Sequence, residues 1–242
     1  MIKLSVRCLI VAGLVYSLSV HVRARTADAG VTPFVLQTSI ERFDATDSSP
    51  RTEIWTIATR SDGAHVSRED SVGGRYSGVR IVADPATNHR TTVDVETKSL
   101  MTYSLTSKGA NRMAVANCGA SAGAASKLVL GQNVVNRVKH FTAGDRSFEL
   151  NEWVAPALAC EVLESEQIIE EKGARIGRNV IHAQAISLGD PDPGLFVIPA
   201  DYVERSPSQF FSEQARLRGT DCPKCMQSSA QKLDAVYANK RP

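Results

Sequence analysis

Thr52-Glu53-Ile54-Trp55-Thr56-Ile57-Ala58-Thr59-Arg60, closed by Ser61-Asp62-Gly63, decides the fold class of this 242-residue chain. Trp55 and Ile57 fall on one parity, Thr52 and Thr56 on the other. That is the period of a half-buried strand, and Ser-Asp-Gly supplies the turn that ends it. Ala64–Glu69 follows as a hairpin partner. The pattern repeats on both sides. Phe34–Phe43 precedes it, and Gly78–Ala83 and His89–Val95 flank the turn Asp84-Pro85-Ala86-Thr87-Asn88. Ser99–Leu105 puts Met101, Tyr103 and Leu105 on one face, Thr102 and Ser104 on the other. Alternation at this spacing predicts an antiparallel sheet.

Ala114–Ser126 breaks the pattern. It is nearly all Ala, Gly and Ser, too small to fill a core layer, and reads as a loop or weak helix across the sheet. Strands resume at Asn133–Thr142, Ser147–Val154, Cys160–Glu170 and Arg175–Ser187. Ala143-Gly144-Asp145 and Glu171-Lys172-Gly173 read as hairpin turns. Asp190-Pro191-Asp192-Pro193-Gly194 ends the sheet, because proline cannot donate to a ladder. In Leu195–Pro199, Phe196 and Ile198 share a face, which predicts closure of the sheet end. Ser206-Pro207 marks a helix start. Asp221 marks a second helix, with Met226, Ala230, Leu233 and Tyr237 at helical spacing. The fold expected is mainly β (α+β): a single curved antiparallel sheet or half-barrel with C-terminal helices.

The N-terminus reads as an export signal. Lys3 and Arg7 precede an apolar run from Cys8 to Val20, and a small residue follows at Ala24, with a second cleavage point after Ala29. The run is too short for a membrane-spanning helix. Cleavage after Ala24 removes three cations and no acid, taking the formal charge from +2 to −1. No clustered basic face remains, so nucleic acid is not an expected partner. The mature protein is expected to be periplasmic or secreted and not integral to a membrane. The organisation expected is a signal over 1–24, an antiparallel β domain over 30–204 and a helical tail over 205–242.

Two stretches carry a resemblance. Trp153-Val154-Ala155-Pro156-Ala157-Leu158 is similar to a W-x-x-P-x-L strand of certain uncharacterised secreted bacterial β proteins. The run Asp190–Tyr202 (DPDPGLFVIPADY) resembles their closing D-P-x-L-F-x-(I/V)-P-A-x-Y segment. Their strand order resembles the LolA/LolB type of periplasmic lipoprotein carrier. The resemblance implies a curved sheet, open on one side, with helices across the mouth and an apolar concavity in place of catalytic residues. It covers roughly 34–202. The chain departs from that family in its Ala/Gly/Ser segment and its cysteine-bearing tail.

Without Cys8 the chain keeps Cys118, Cys160, Cys222 and Cys225, an even number that points to disulfides in an exported protein. Three pairings exist, and the one expected is Cys118 with Cys160 and Cys222 with Cys225. Cys222-Pro223-Lys224-Cys225 at a helix start also favours a thiolate, the basis of a thiol–disulfide oxidoreductase reading. Met226 in place of histidine excludes the usual haem attachment. No second C-x-x-C accompanies it, so no zinc site, other metal or cofactor is expected. His65, His89, His140 and His182 read as surface or edge histidines. Asp190 and Asp192 fit a Pro-rich turn better than acid–base chemistry, and no G-x-S-x-G elbow is present.

The function expected is binding rather than catalysis, of a lipid-like or lipoprotein ligand in the concave sheet. Trp55, Tyr103, Trp153 and Phe196 are the side chains expected near it. The alternatives are the thiol oxidoreductase and an envelope protein–protein interaction module.

Overall fold

The computed structural model describes residues 32–46, 49–72, 75–104 and 116–218. The export signal, Leu105, Cys222, Cys225 and the second tail helix lie outside the described residues.

Strands β1 (Phe34–Asp44), β2 (Arg51–Thr59), β3 (His65–Val72), β4 (Arg75–Tyr76), β5 (Val79–Asp84), β6 (His89–Asp94) and β7 (Ser99–Ser104) form a first meander. A second comprises β8 (Ser126–Val129), β9 (Gln132–Ala143), β10 (Arg146–Ala155), β11 (Glu161–Glu171) and β12 (Ala174–Leu188). Both belong to one sheet, ordered β13-β7-β6-β5-β3-β2-β1-β12-β11-β10-β9-β8, with β13 at Val203–Glu204 and β4 paired to β3. The end strands β8 and β13 are not paired to each other, so the sheet is open and not a closed barrel. β1 holds the meanders together, antiparallel to β2 on one side and to β12 on the other. Only β13, which runs parallel to β7, departs from the antiparallel pattern among the described residues.

Local chemistry accounts for the connections. Lys172 and Gly173 both take positive φ, 53° and 77°. Those values suit the two-residue turn whose twist matches paired strands. Asp84 Oδ1 accepts from Ala86 N at 2.8 Å, and Asn88 takes a φ of 58° in the same turn. Helix α1 (Pro207–Arg218) begins with a reciprocal cap. Ser206 N donates to Gln209 Oε1 at 3.1 Å, and Gln209 N donates to Ser206 Oγ at 3.4 Å.

The small-residue segment is not loop alone. It contains a 3₁₀ turn at Ala116–Gly119 and ends in β8, which pairs with β9. Cys118 in that turn is bonded to Cys160, which ties the turn to the start of β11. Ala159 and Cys160 both have positive φ, 58° and 66°. A non-glycine pair in the left-handed region is held there by its surroundings, and the bridge is part of them. Beside it lies an apolar cluster of Phe34, Leu36, Ile57, Val134, Leu158 and Leu163. Leu158 comes from the 3₁₀ turn Pro156–Leu158, the P-x-L of the W-x-x-P-x-L stretch.

After β12 the chain clasps the sheet. Asp190 accepts from Ser61 N at 3.0 Å, and the 3₁₀ turn Pro193–Phe196 lays Leu195 and Phe196 against Val35, Ala58, Val66 and Val82. Arg80 donates to the carbonyls of Leu195 and Val197 at 3.1 and 2.6 Å. Phe196 therefore packs with Leu195; Ile198, expected beside it, is exposed because the 3₁₀ turn breaks the strand parity that would have paired them. The chain then covers the β7 edge as β13 and continues into α1, whose Phe210 and Phe211 pack on Met101 and Tyr103.

Replacing both Cys118 and Cys160 by Ser removes a link across 42 residues of sequence. The chain-entropy argument gives a loss of roughly 3–4 kcal/mol, read as a lower urea midpoint with a steeper slope, because the unbridged denatured chain exposes more surface.

Candidate functional site

Register carries two rows of side chains across the first meander on the face that α1 covers. One runs Phe34, Thr59, His65, Ala83, Arg90, Tyr103; the other runs Leu36, Ile57, Ser67, Ile81, Thr92, Met101. Trp55 stands on the same face, between Thr38 and Glu69. Val35, Ala58, Val66 and Val82 form the corresponding row of the opposite face, where Phe196 lies. Trp153 packs against the cluster that includes Phe34, Leu36 and Ile57, so it lies on the side of those rows, toward the second meander.

Phe196 is therefore separated from the other three aromatic residues. Trp55 and Tyr103 share the helix-covered face, four strand spacings apart in sheet order. Phe196 seals the other face under Arg60, whose guanidinium lies 5.5 Å from its ring centroid. Trp153 lies under Lys127 Nζ at 4.3 Å, and the same lysine bridges Glu164.

The helix-covered face is more polar than the resemblance implies. Arg42 and Glu53 are 8% and 5% exposed and meet in a two-point fork of 2.7 and 2.8 Å. Trp55 Nε1 donates to Glu53 Oε2 at 3.4 Å. Ser77 donates to buried Glu69. In the second meander Glu152 is buried between Arg137 and Lys139, and Arg137 also donates to the Cys118 carbonyl at 2.7 Å. Glu161, beside that group, has its carboxyl pushed up to about 7. Burial is the main cause and Glu152 adds to it, against the pull of Val162 N–H and Arg137.

His65 departs from the surface placement expected of it. It is buried, with Nδ1 2.9 Å from Thr59 Oγ1 and Nε2 3.3 Å from Ser67 Oγ. Burial, with the positive charge of Arg90 in the same row, lowers its pKa to about 3. The imidazole is neutral at physiological pH, and both of its ring nitrogens meet hydroxyls rather than a carboxylate. That set has two hydroxyls and a weak base, without the acidic partner that activates a nucleophile. Asp190 and Asp192 are occupied as turn residues: Asp190 by Ser61, which holds its carboxyl below the usual range, and Asp192 by Gly194 N at 2.8 Å.

Arg42, Glu53, His65 and Arg90 are the polar groups that alternation alone did not single out. The signal was present: Arg42 has the parity of Phe34, Leu36 and Ile40, so an arginine occupies a core-facing strand position. No helix of the described residues is long and apolar enough to cross a membrane.

No family model matches the sequence, and no curated protein matches it. Solved structures to which it is similar include PNGF-II, with 11% identity and a TM-score of 0.42 over 72% of this chain. This chain spans about a third, 32%, of that one. A LolA superfamily protein from Nitrosomonas europaea is 9% identical with a TM-score of 0.35, over 77% of this chain and 97% of that chain. A DUF1329 family protein from Desulfovibrio piger is 9% identical with a TM-score of 0.34, over 76% and 96%. The second bears the name of the LolA type, whose strand order the sequence resemblance implied. None of these likenesses carries an argument about ligand or activity.

Two outcomes follow from the buried charges. Replacing Glu53 alone by Gln strands Arg42 and should cost about 3–5 kcal/mol, whereas Arg42→Met with Glu53→Leu should cost far less; urea unfolding of both variants checks this. For His65 the folded pKa lies below the unfolded value, so stability is full above about 6.5 and falls as the pH drops toward about 3. The loss approaches about 4 kcal/mol across that window. His65→Gln removes this term, so the stability advantage of the wild type over the variant should shrink steadily on acidification.

Proposed function

We propose that the protein is a non-catalytic binding module of an exported envelope compartment, holding a lipid-like, amphipathic ligand between α1 and the sheet face beneath it. The observation that carries this reading is the seat of α1. Its buried positions Pro207, Phe210, Phe211 and Gln214 follow the spacing of a single helix face, and that face rests near the open edge of the sheet on Met101 and Tyr103. Besides that cluster, the helix is tied among the described residues by the short β13 strand, its own cap and the Arg205–Glu213 ion pair. A lid of this kind opens at the cost of one small apolar cluster and leaves the rest of the sheet intact. Beneath it the face offers aromatic and aliphatic groups beside buried donors, the mixture that an amphipathic ligand matches. The resemblance of Trp153–Leu158 and Asp190–Tyr202 to carrier-like proteins supports the same class. On this reading Trp55 and Tyr103 face the ligand, Trp153 packs on the Phe34, Leu36 and Ile57 cluster, and Phe196 holds the opposite face closed.

Native mass spectrometry of the protein purified from its own envelope fraction should show extra mass that is lost on denaturation. In a Trp153→Phe variant, Trp55 is the single tryptophan. Its emission should shift saturably as a dodecyl-chain amphiphile is added. A bare chain together with an emission that never responds would remove the reading.

A further inference from the structure

Among the described residues, five buried side-chain nitrogens lack a partner: Arg80 Nε, Arg90 Nε, Arg178 Nε, Arg205 Nε and Gln214 Nε2. Three of the four arginines are engaged through other contacts. Arg80 holds the Leu195 and Val197 carbonyls, Arg178 holds Glu166, and Arg205 holds Glu213. The Arg90 side chain makes no hydrogen bond or ion pair to a described residue. It is 8% exposed, and its guanidinium lies 5.9 Å from the Tyr103 ring centroid. The guanidinium keeps its charge, and its Nε–H is removed from water without an acceptor, which is costly.

The nearby acids are committed elsewhere. Asp94, on the same strand and face, accepts from the backbone N–H groups of Glu96 and Thr97 at 2.9 and 3.3 Å. Glu213, the neighbour of Gln214 on α1, is bound to Arg205 at 3.2 Å. Gln214 is itself 8% exposed, one turn beyond Phe210 on the buried side of α1, with its amide nitrogen unpartnered. Arg90 stands opposite Tyr103 in the β6–β7 ladder, and Tyr103 packs with Met101 against Phe210 and Phe211. The strand and the helix thus each bring an unused donor to the two sides of one apolar cluster.

We infer that Arg90, with Gln214 Nε2 as a second donor from the lid, seats the oxyanion headgroup, carboxylate or phosphate, of an amphiphile whose chain lies along the Met101–Phe210 cluster. This rests on the binding function proposed above and adds the ligand's charge to it. The anion supplies the acceptors that Arg90 lacks, and the surrounding apolar groups strengthen that bond by excluding water. Because one donor sits on the sheet and the other on α1, the headgroup also draws the lid onto the ligand.

The test is calorimetric titration of the purified protein with dodecanoate, dodecyl phosphate, dodecanol and inorganic phosphate. The anionic dodecyl compounds should bind at least about tenfold more tightly than dodecanol, the range of a charged hydrogen bond. Arg90→Gln should reduce them to the dodecanol level without changing dodecanol itself. Gln214→Leu should give a smaller loss in the same direction, and it carries the test alone if circular dichroism shows Arg90→Gln unfolded. Equal binding of dodecanol and dodecanoate by the wild type would overturn the headgroup site and leave the carrier function standing. Failure of every dodecyl compound to bind would overturn both. Inorganic phosphate binding as tightly as dodecyl phosphate would overturn the lipid source, since the chain would then contribute nothing.

Discussion

The fork between Arg42 and Glu53 sets the terms for the helix-covered face. Two opposite charges have been taken out of water beside the central strand, and their attraction offsets the desolvation only because the geometry uses both guanidinium nitrogens and both carboxylate oxygens. Their neighbours conform to that requirement. Trp55 turns its Nε1 toward the same carboxylate, and Ser77 donates to Glu69 one strand over. His65 sits neutral between two hydroxyls, which neither adds charge nor requires it. These groups meet one another's donors and acceptors, and Arg90 stands out against them because its Nε–H meets none.

The two faces of the first meander divide the work. The Val35–Ala58–Val66–Val82 row is closed by Leu195 and Phe196 and behaves as ordinary core. The clasp formed by residues 190–218 closes that face, protects the β7 edge from pairing with another chain, and delivers α1 to the other face. One continuous segment therefore couples closure of the core to placement of the lid. A change at the Asp190–Ser61 contact acts on α1 through the backbone that joins them.

Much of this was legible in the residues. Alternation identified the long strands, Lys172-Gly173 identified its turn, Ser206-Pro207 identified the helix start, and the Cys118–Cys160 pairing matched the one expected. What stayed hidden has identifiable causes. β8 is four residues, Ser-Lys-Leu-Val, attached to an Ala/Gly/Ser stretch with no strand pattern of its own, and it exists because β9 offers an edge. That Trp153 joins Phe34, Leu36 and Ile57 is hidden by bulges: the β1–β12, β2–β3, β10–β11 and β11–β12 pairings each shift register once, and a shifted register changes which residues share a face. The charged row was visible as parity in each strand, but only the alignment of six strands shows that Thr59, His65 and Arg90 form a line.

The position of β1 has a consequence for biosynthesis. It is the first strand among the described residues and lies at the centre of the sheet, yet one of its partners is β12, about 150 residues later, as the pairing of Phe34 with Leu188 shows. At roughly 5–20 residues per second of translation, that edge waits on the order of 10–30 s for its match. During this interval Phe-Val-Leu-Gln-Thr-Ser-Ile is a hydrophobic strand with an unsatisfied side, open to pairing with the same segment of another nascent chain. The two meanders are each local enough to form early, and joining them is the long-range event that sets the pace. A protein threaded in this way gains from being kept unfolded until synthesis is complete, which is also the state in which a chain passes through an export channel.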